Sequence, residues 1–154
     1  MSSIVLVRPQ IPHNTGAIGR LCVGLVITLN LIKPLGFRLD EKAVERAGLD
    51  YWKNLDLRIH DTWEDSLESE KPRRLFMLST HGERSLYECK FEKSDALVFG
   101  NEGSGLPPEF YERYKDRLFK IAMPGEHARS INLANAVSIA AYECYRQISF
   151  CDLV

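Results

Sequence analysis

The stretch "LVFGNEGSGLPPEF", residues 97–110, decides how the rest of the chain is read. Three apolar residues run without interruption into a loop with three glycines in six positions, Gly100, Gly103 and Gly105, and the loop ends at two prolines that open a helix pattern. A continuously apolar run fits a strand covered on both faces, which is the habit of parallel sheets. A glycine-rich exit exposes backbone N–H groups where such sheets place ligands, beyond the carboxyl ends of their strands.

Working outward, short β-branched runs alternate with helical patterns. "SIVLVR", "ITLNLIK", "LDLRIH", "RLFMLST", "ALVFG" and "LFKIAM" read as strands, and residues 14–25, 40–48, 61–70, 107–115 and 131–148 read as helices. Asp40 and Asp61 stand where N-caps belong, and Asn14 is placed to cap the first helix. The expectation is an α/β fold with a mainly parallel sheet flanked by helices. Length, 154 residues at 45% hydrophobic, supports one core and hardly two, so residues 1–154 are expected to form a single domain.

Composition narrows the function classes. The start, "MSSIVLVRPQ", reads as a buried strand and not a signal peptide, and the longest apolar stretch, Leu21 to Ile32, is broken by Thr28 and Asn30 and too short to span a bilayer. No membrane association and a cytoplasmic location are expected. Cys22, Cys89, Cys144 and Cys151 lie far apart and read as reduced thiols; with the four histidines they form no metal-ligand spacing, so no metal is expected. Formal net charge is −1, so a polyanionic partner would have to be met by a local basic patch.

Two other strand ends carry polar residues instead of plain turns. "PQIPHNTGAIGRLC", residues 9–22, holds Asn14, Gly16, Gly19 and Arg20; "IAMPGEHARSINLANAV", residues 121–137, holds Ser130, Asn132 and Asn135. Taken singly, these are turn glycines, a solvated arginine and a Ser130 N-cap. G-x-G-x-x-G and the P-loop lysine signature are both missing, which disfavours ordinary dinucleotide and NTP sites.

In order along the chain, the three stretches resemble the SPOUT class of S-adenosylmethionine-dependent RNA methyltransferases. The match comprises N-x-G-x-x-x-R at Asn14, Gly16 and Arg20, F-G-x-E-x-x-G-L-P at Phe99 to Pro107, S-x-N-L-x-N-A-V-S at Ser130 to Ser138, and "RAGLDYW" at 46–52. Within the class the chain is most similar to the small tRNA (cytidine/uridine-2′-O)-methyltransferases that modify the wobble nucleotide. The resemblance implies a deep C-terminal trefoil knot, a rare exception to unknotted topology. It also implies S-adenosyl-L-methionine as cofactor, tRNA as substrate and a homodimer. Leu78, Gly100, Ile121 and Ser130 would hold the cofactor; Arg20, Glu102, Ser130 and Asn132 would form the catalytic set; Arg20 and Tyr142 would touch substrate, with Tyr142 equally placed for the dimer seam. Asn135 would tie the last helix to its loop. Arg20 is either the proton acceptor for the 2′-OH or, since a guanidinium is a poor base, a group that orients phosphate and stabilises oxyanion charge.

Ala134, Ala136, Ala140 and Ala141 would let a partner helix approach closely, with internal packing as the plain alternative. Arg8, His13, Arg20, Lys33, Arg129 and Arg146 are the cations nearest the motifs, whereas "KPRR" at 71–74 reads as a solvated turn. Three departures loosen the substrate assignment: the loop "GNEGSG", Ala122 where a proline is usual, and "GLV" at 24–26 where Asn-Thr-Gly is usual. A 2′-O-methyltransferase for another tRNA or rRNA site, or a catalytically silent RNA-binding dimer, therefore stand as alternatives; the presence of Arg20 beside an intact third motif argues against silence.

Overall fold

Alternation within the apolar runs sets the architecture. The computed structural model describes residues 2–40 and 50–149. Strands β1 (Ser3–Val7), β2 (Thr28–Ile32), β3 (Leu57–His60), β4 (Leu75–Leu78), β5 (Arg84–Ser85), β6 (Ala96–Phe99) and β7 (Leu118–Lys120) form one sheet in the order β3-β2-β1-β6-β4-β7-β5. Every pairing is parallel. Successive side chains leave a strand on opposite faces. Ile4, Leu6, Leu29, Leu31, Leu97 and Phe99 therefore pack on one side with Ile18, Cys22, Val137 and Ala140, while Val5, Val7, Met77 and Val98 pack on the other with Trp63, Phe110 and Tyr114.

Those partners come from four helices. Helix α1 (Pro12–Leu25) and helix α4 (Leu133–Ser149) cover the first face; α2 (Trp63–Glu70) and α3 (Pro108–Arg113) cover the second. Ala140 and Ala141, at 0% and 1% exposure, are spent on internal packing, which settles the plain reading of those two small residues. Cys22, Cys89 and Cys144 are buried free thiols, and desolvation pushes Cys22 and Cys89 up to about 12 and Cys144 to about 11. Cys151 lies outside the described residues, as does the helix expected over 40–48 apart from Asp40. Among the described residues no helix is long and apolar enough to cross a membrane.

Several expected boundaries move. Helix α1 begins two residues early at Pro12, whose missing N–H costs nothing in a first turn, so Asn14 lies inside the helix and does not cap it. At α2 the cap is Thr62, whose hydroxyl accepts from Asp65 N, and not Asp61, which forms an ion pair with Lys33 instead. At α4 the cap is Asn132 and not Ser130: its Oδ1 accepts from Ala134 N at 2.8 Å and Asn135 N at 3.3 Å. Strand β5 was not expected, because two half-exposed polar residues on a sheet edge carry no hydrophobic pattern.

The far edge of the sheet has an uncommon layout. Strand β7 lies between β4 and β5, which follow each other in the chain, so residues 79–83 must arch across β7 to join them. Phe119 pairs with Leu78 on one side and Arg84 on the other. The arch touches the strand it crosses: Ser79 N donates to Phe119 O at 2.9 Å, and a Cβ on Gly82 would stand 2.5 Å from the Phe119 carbonyl carbon. Glycine is required there by backbone approach.

Helix α1 ends on Val26, held in the left-handed region at φ 54. A β-branched residue is strained there, and Val26 is 70% exposed, so its side chain contributes little burial in exchange. Replacing Val26 by Gly is expected to raise unfolding stability by about 1 kcal/mol, the relief outweighing the added freedom of the unfolded chain. Urea denaturation of the full chain checks this; a lower midpoint would show that the side chain is needed where it stands.

Candidate functional site

Beyond the carboxyl ends of β4, β6 and β7 lies a cavity of about 440 Å3. Four segments wall it: the first turn of α1, the start of the 79–83 arch, the glycine loop from Phe99 to Leu106, and the run from Ser130 to Leu133 with Ile121 and Met123. Its position follows from the parallel sheet, whose strand exits diverge at that edge.

The glycine loop is shaped by one side chain. Asn101 Oδ1 accepts from Gly103 N at 3.0 Å, Ser104 N at 2.7 Å and Ser104 Oγ at 3.0 Å, while Asn101 and Gly105 exchange both backbone hydrogen bonds. The loop closes so tightly that a Cβ on Gly100 would fall 1.9 Å from the Gly105 carbonyl carbon. Gly105 has φ +74, a conformation that favours glycine, and a Cβ there would stand 3.2 Å from the Tyr111 hydroxyl, a tight contact. By contrast, a Cβ on Gly103 would meet nothing closer than Asn101 Oδ1 at 3.8 Å.

This closure aims Glu102 at the start of α1. Its Oε2 accepts from Gln10 N at 2.8 Å, and its Oε1 from Ile11 N at 3.0 Å and Asn14 Nδ2 at 3.3 Å. Asn14 Oδ1 in turn accepts from Asn132 Nδ2 at 2.9 Å, and Asn132 caps α4. One hydrogen-bonded chain thus connects all three polar stretches. The carboxylate thus satisfies the N–H of Ile11, the N-cap residue, and that of Gln10 before it, while Ile11 has no side-chain cap bond to offer.

Of the residues expected at the site, Leu78, Gly100, Glu102, Ile121, Ser130 and Asn132 all line this cavity. Arg20 and Tyr142 do not. Arg20 is exposed on α1 and makes no ion pair among the described residues; it lies close enough to Tyr51 for its charge to oppose the burial that raises the Tyr51 phenol above its ordinary value. Tyr51 donates to Gly16 O, and the Trp52 ring lies against Gly19, so the 3-10 segment Asp50–Asn54 braces the helix face next to Arg20. Tyr142 is 54% exposed on the outer face of α4, stacked edge-on with Tyr145. Asn135 does not tie helix to loop through its side chain, which is exposed and without a hydrogen bond among the described residues; its backbone N–H meets Asn132 instead.

Sequence reasoning passed over Tyr111 and Ser79. Tyr111, on α3, reaches across the cavity wall to Ser79 Oγ at 3.3 Å, and Ser79 Oγ also accepts from His81 N at 3.2 Å. A tyrosine at a helical position carries no local signal for this role. Among the described residues no group of three or more His, Cys, Asp and Glu is arranged to hold a metal ion.

Residues 1–142 match the model of the SpoU rRNA Methylase family. A tRNA (cytidine(34)-2′-O)-methyltransferase of Acidovorax sp. (strain JS42) is 43% identical over 154 residues, covering 97% of this chain and 94% of that relative. One of Methylovorus glucosotrophus (strain SIP3-4) is 40% identical over the full length of both. A solved structure reported for the 2-OH methylation of C/U34 on tRNA superposes with a TM-score of 0.87 at 47% identity, over 96% of this chain and 95% of that one. With its parallel sheet, its three linked polar stretches and these full-length matches, the chain belongs to the SpoU methylase family.

Proposed function

We propose that the protein transfers a methyl group from S-adenosyl-L-methionine to a ribose 2′-OH of tRNA, at the wobble cytidine or uridine of the anticodon loop. The observation that carries this is the convergence of Leu78, Gly100, Ile121 and Ser130 on one cavity, in a chain whose full-length relatives are named tRNA (cytidine(34)-2′-O)-methyltransferases.

The cavity fits the cofactor. Its volume is within the range of about 300–1,000 Å3 usual for small-molecule sites. Leu78, Phe99, Leu106, Ile121 and Leu133 offer apolar walls for a purine, and the loop backbones at Gly100 and Ser130 offer polar groups for its edge. Among the described residues on the wall, Glu102 is the one Asp, Glu, Lys or Arg, so a sulfonium would meet no repelling lysine or arginine there. When bound, the cofactor supplies an electrophilic methyl group.

The chain's own residues then have to align the hydroxyl and manage its proton, since an in-line displacement gains most from fixed geometry. Glu102, Asn14 and Asn132 hold the three loops in one arrangement and leave the cavity mouth fixed. Ser130, exposed at the rim, is placed to hold cofactor or ribose. A guanidinium keeps its proton in proteins, so we assign Arg20 to orienting RNA phosphate and countering charge on the attacking oxygen, whose proton passes to solvent as the methyl–sulfur bond breaks.

Because Arg20 lies on the outer face of α1 and not on its own cavity wall, a second subunit has a part to play. Ile139 and Tyr142 on α4 and Ala17 and Gly24 on α1 are exposed and small or apolar, which suits a homodimer that brings Arg20 to a cavity mouth. Insertion of β7 beneath the 79–83 arch, with the chain continuing from there to α4, supports a C-terminal trefoil knot. One sheet shared by both apolar layers supports a single domain over 1–154. A tRNA substrate fits a cytoplasmic enzyme, and methyl transfer from a sulfonium calls for no metal. Another tRNA or rRNA ribose is the second substrate reading, favoured by the rRNA description of the matched family.

Labelled-methyl transfer to tRNA and rRNA from cells lacking the protein, followed by nucleoside mapping, tests the proposal. Label in a 2′-O-methylated wobble pyrimidine is expected; label elsewhere replaces the substrate, and none in either RNA overturns the activity. Arg20→Ala is expected to lower transfer by at least about 100-fold while cofactor affinity stays within twofold; an active variant would remove Arg20 from the reaction. In the glycine loop, Gly100→Ala is expected to cost at least ~2 kcal/mol of stability and to abolish cofactor binding, whereas Gly103→Ala leaves both unchanged. Denaturation and equilibrium dialysis of the pair check this, and equal behaviour would show that loop closure does not form the site.

A further inference from the structure

The structure sorts the six cations that stand near the motifs. Lys33 pairs with Asp61 at 3.0 Å and Arg146 with Glu143 at 2.9 Å. Arg8, His13, Arg20 and Arg129 are exposed and make no ion pair among the described residues. On a chain with a formal net charge of −1, these four are the ones of the six left to attract an RNA backbone near the motifs.

Arg8 stands apart from the others because its backbone is strained. Its φ is 55, the left-handed region where non-glycine residues are uncommon. Neighbouring bonds impose that turn: Arg8 N donates to Ile32 O at 2.9 Å, Arg8 O accepts from Gln10 Nε2 at 2.9 Å, Pro9 O accepts from Gly36 N at 2.9 Å, and Glu102 holds Gln10 N. The chain needs a left-handed residue here to leave β1 and meet Glu102. Glycine would serve at lower steric cost, so the turn explains the conformation but not the arginine.

Position supplies the reason. Arg8 follows β1, the strand beside β6, whose exit carries Gly100 and Glu102. It lies three residues before Ile11, which is on the cavity wall. A guanidinium presented from this turn stands on the same carboxyl edge of the sheet as the cavity. Its planar fork matches phosphate oxygens in pairs, and its immobilised backbone leaves only side-chain freedom to lose on binding.

We infer that Arg8 is a substrate-positioning residue that grips a backbone phosphate of the RNA strand flanking the target ribose. The inference rests on the RNA 2′-O-methyltransferase reading and adds a contact to it.

Binding of unmodified tRNA to the full chain, measured over a salt series for the unaltered protein, Arg8→Gly and Arg8→Glu, tests it, with cofactor affinity and thermal unfolding recorded alongside. Arg8→Gly is expected to unfold at the same or a higher temperature, to keep its cofactor affinity, and to bind tRNA about tenfold more weakly. Its slope of log affinity against log salt should be shallower by about 0.7, the loss of one phosphate contact on a single strand. Arg8→Glu keeps the backbone strain and should bind more weakly still. Unchanged affinity and slope in both variants, with the unaltered protein binding and methylating tRNA, would make Arg8 a solvated charge and overturn the contact alone. Failure of the cofactor-loaded unaltered protein to bind tRNA would overturn the tRNA reading and the contact with it.

Discussion

The Glu102 carboxylate is the constraint on which the site depends. It accepts from two backbone N–H groups ahead of α1 and from Asn14, which passes the connection to Asn132 and so to the start of α4. Three loops that are 88 or more residues apart in pairing are thereby given one relative position. Charge-assisted hydrogen bonds are stronger than neutral ones, and here they satisfy the N–H of the N-cap residue Ile11 and that of Gln10 before it. The cavity is what remains between loops fixed in this way.

The sheet beneath decides where such loops can be. All seven described strands are parallel, so each returning connection delivers its exit to the same edge, and polar residues at several exits converge there. Crowding at that edge explains its glycines. Gly82 passes against Phe119, and Gly100 against Gly105, at distances no Cβ would allow. The same crowding sets β7 beneath the 79–83 arch, so the last part of the chain is held by backbone contact with an earlier part before α4 completes the core against α1.

Much of this was legible in the sequence, for identifiable reasons. Six of the seven strands announced themselves as apolar runs, and the four described helices by their period, because burial on both faces leaves a dense pattern. Leu78, Gly100, Glu102, Ile121, Ser130 and Asn132 were placed at strand exits and do share one cavity. Capping was read less well. Asn14, Asp61 and Ser130 each stand within three residues of a helix start, and local sequence cannot tell a cap from a side chain committed to a distant partner; the deciding neighbours, Glu102 and Lys33 among them, lie far along the chain. Strand β5 and the Tyr111–Ser79 contact exist only through tertiary pairing, which no window of sequence reports.

A double-mutant cycle between Asn14→Ala and Asn132→Ala, read by urea denaturation and cofactor affinity together, measures the cooperation among Glu102, Asn14 and Asn132. If the chain of hydrogen bonds acts as a unit, either single variant breaks it and the second adds little, leaving an interaction energy of about 1 kcal/mol or more. Strict additivity in both readouts would show that the three loops are positioned independently and that the connection is incidental to the site.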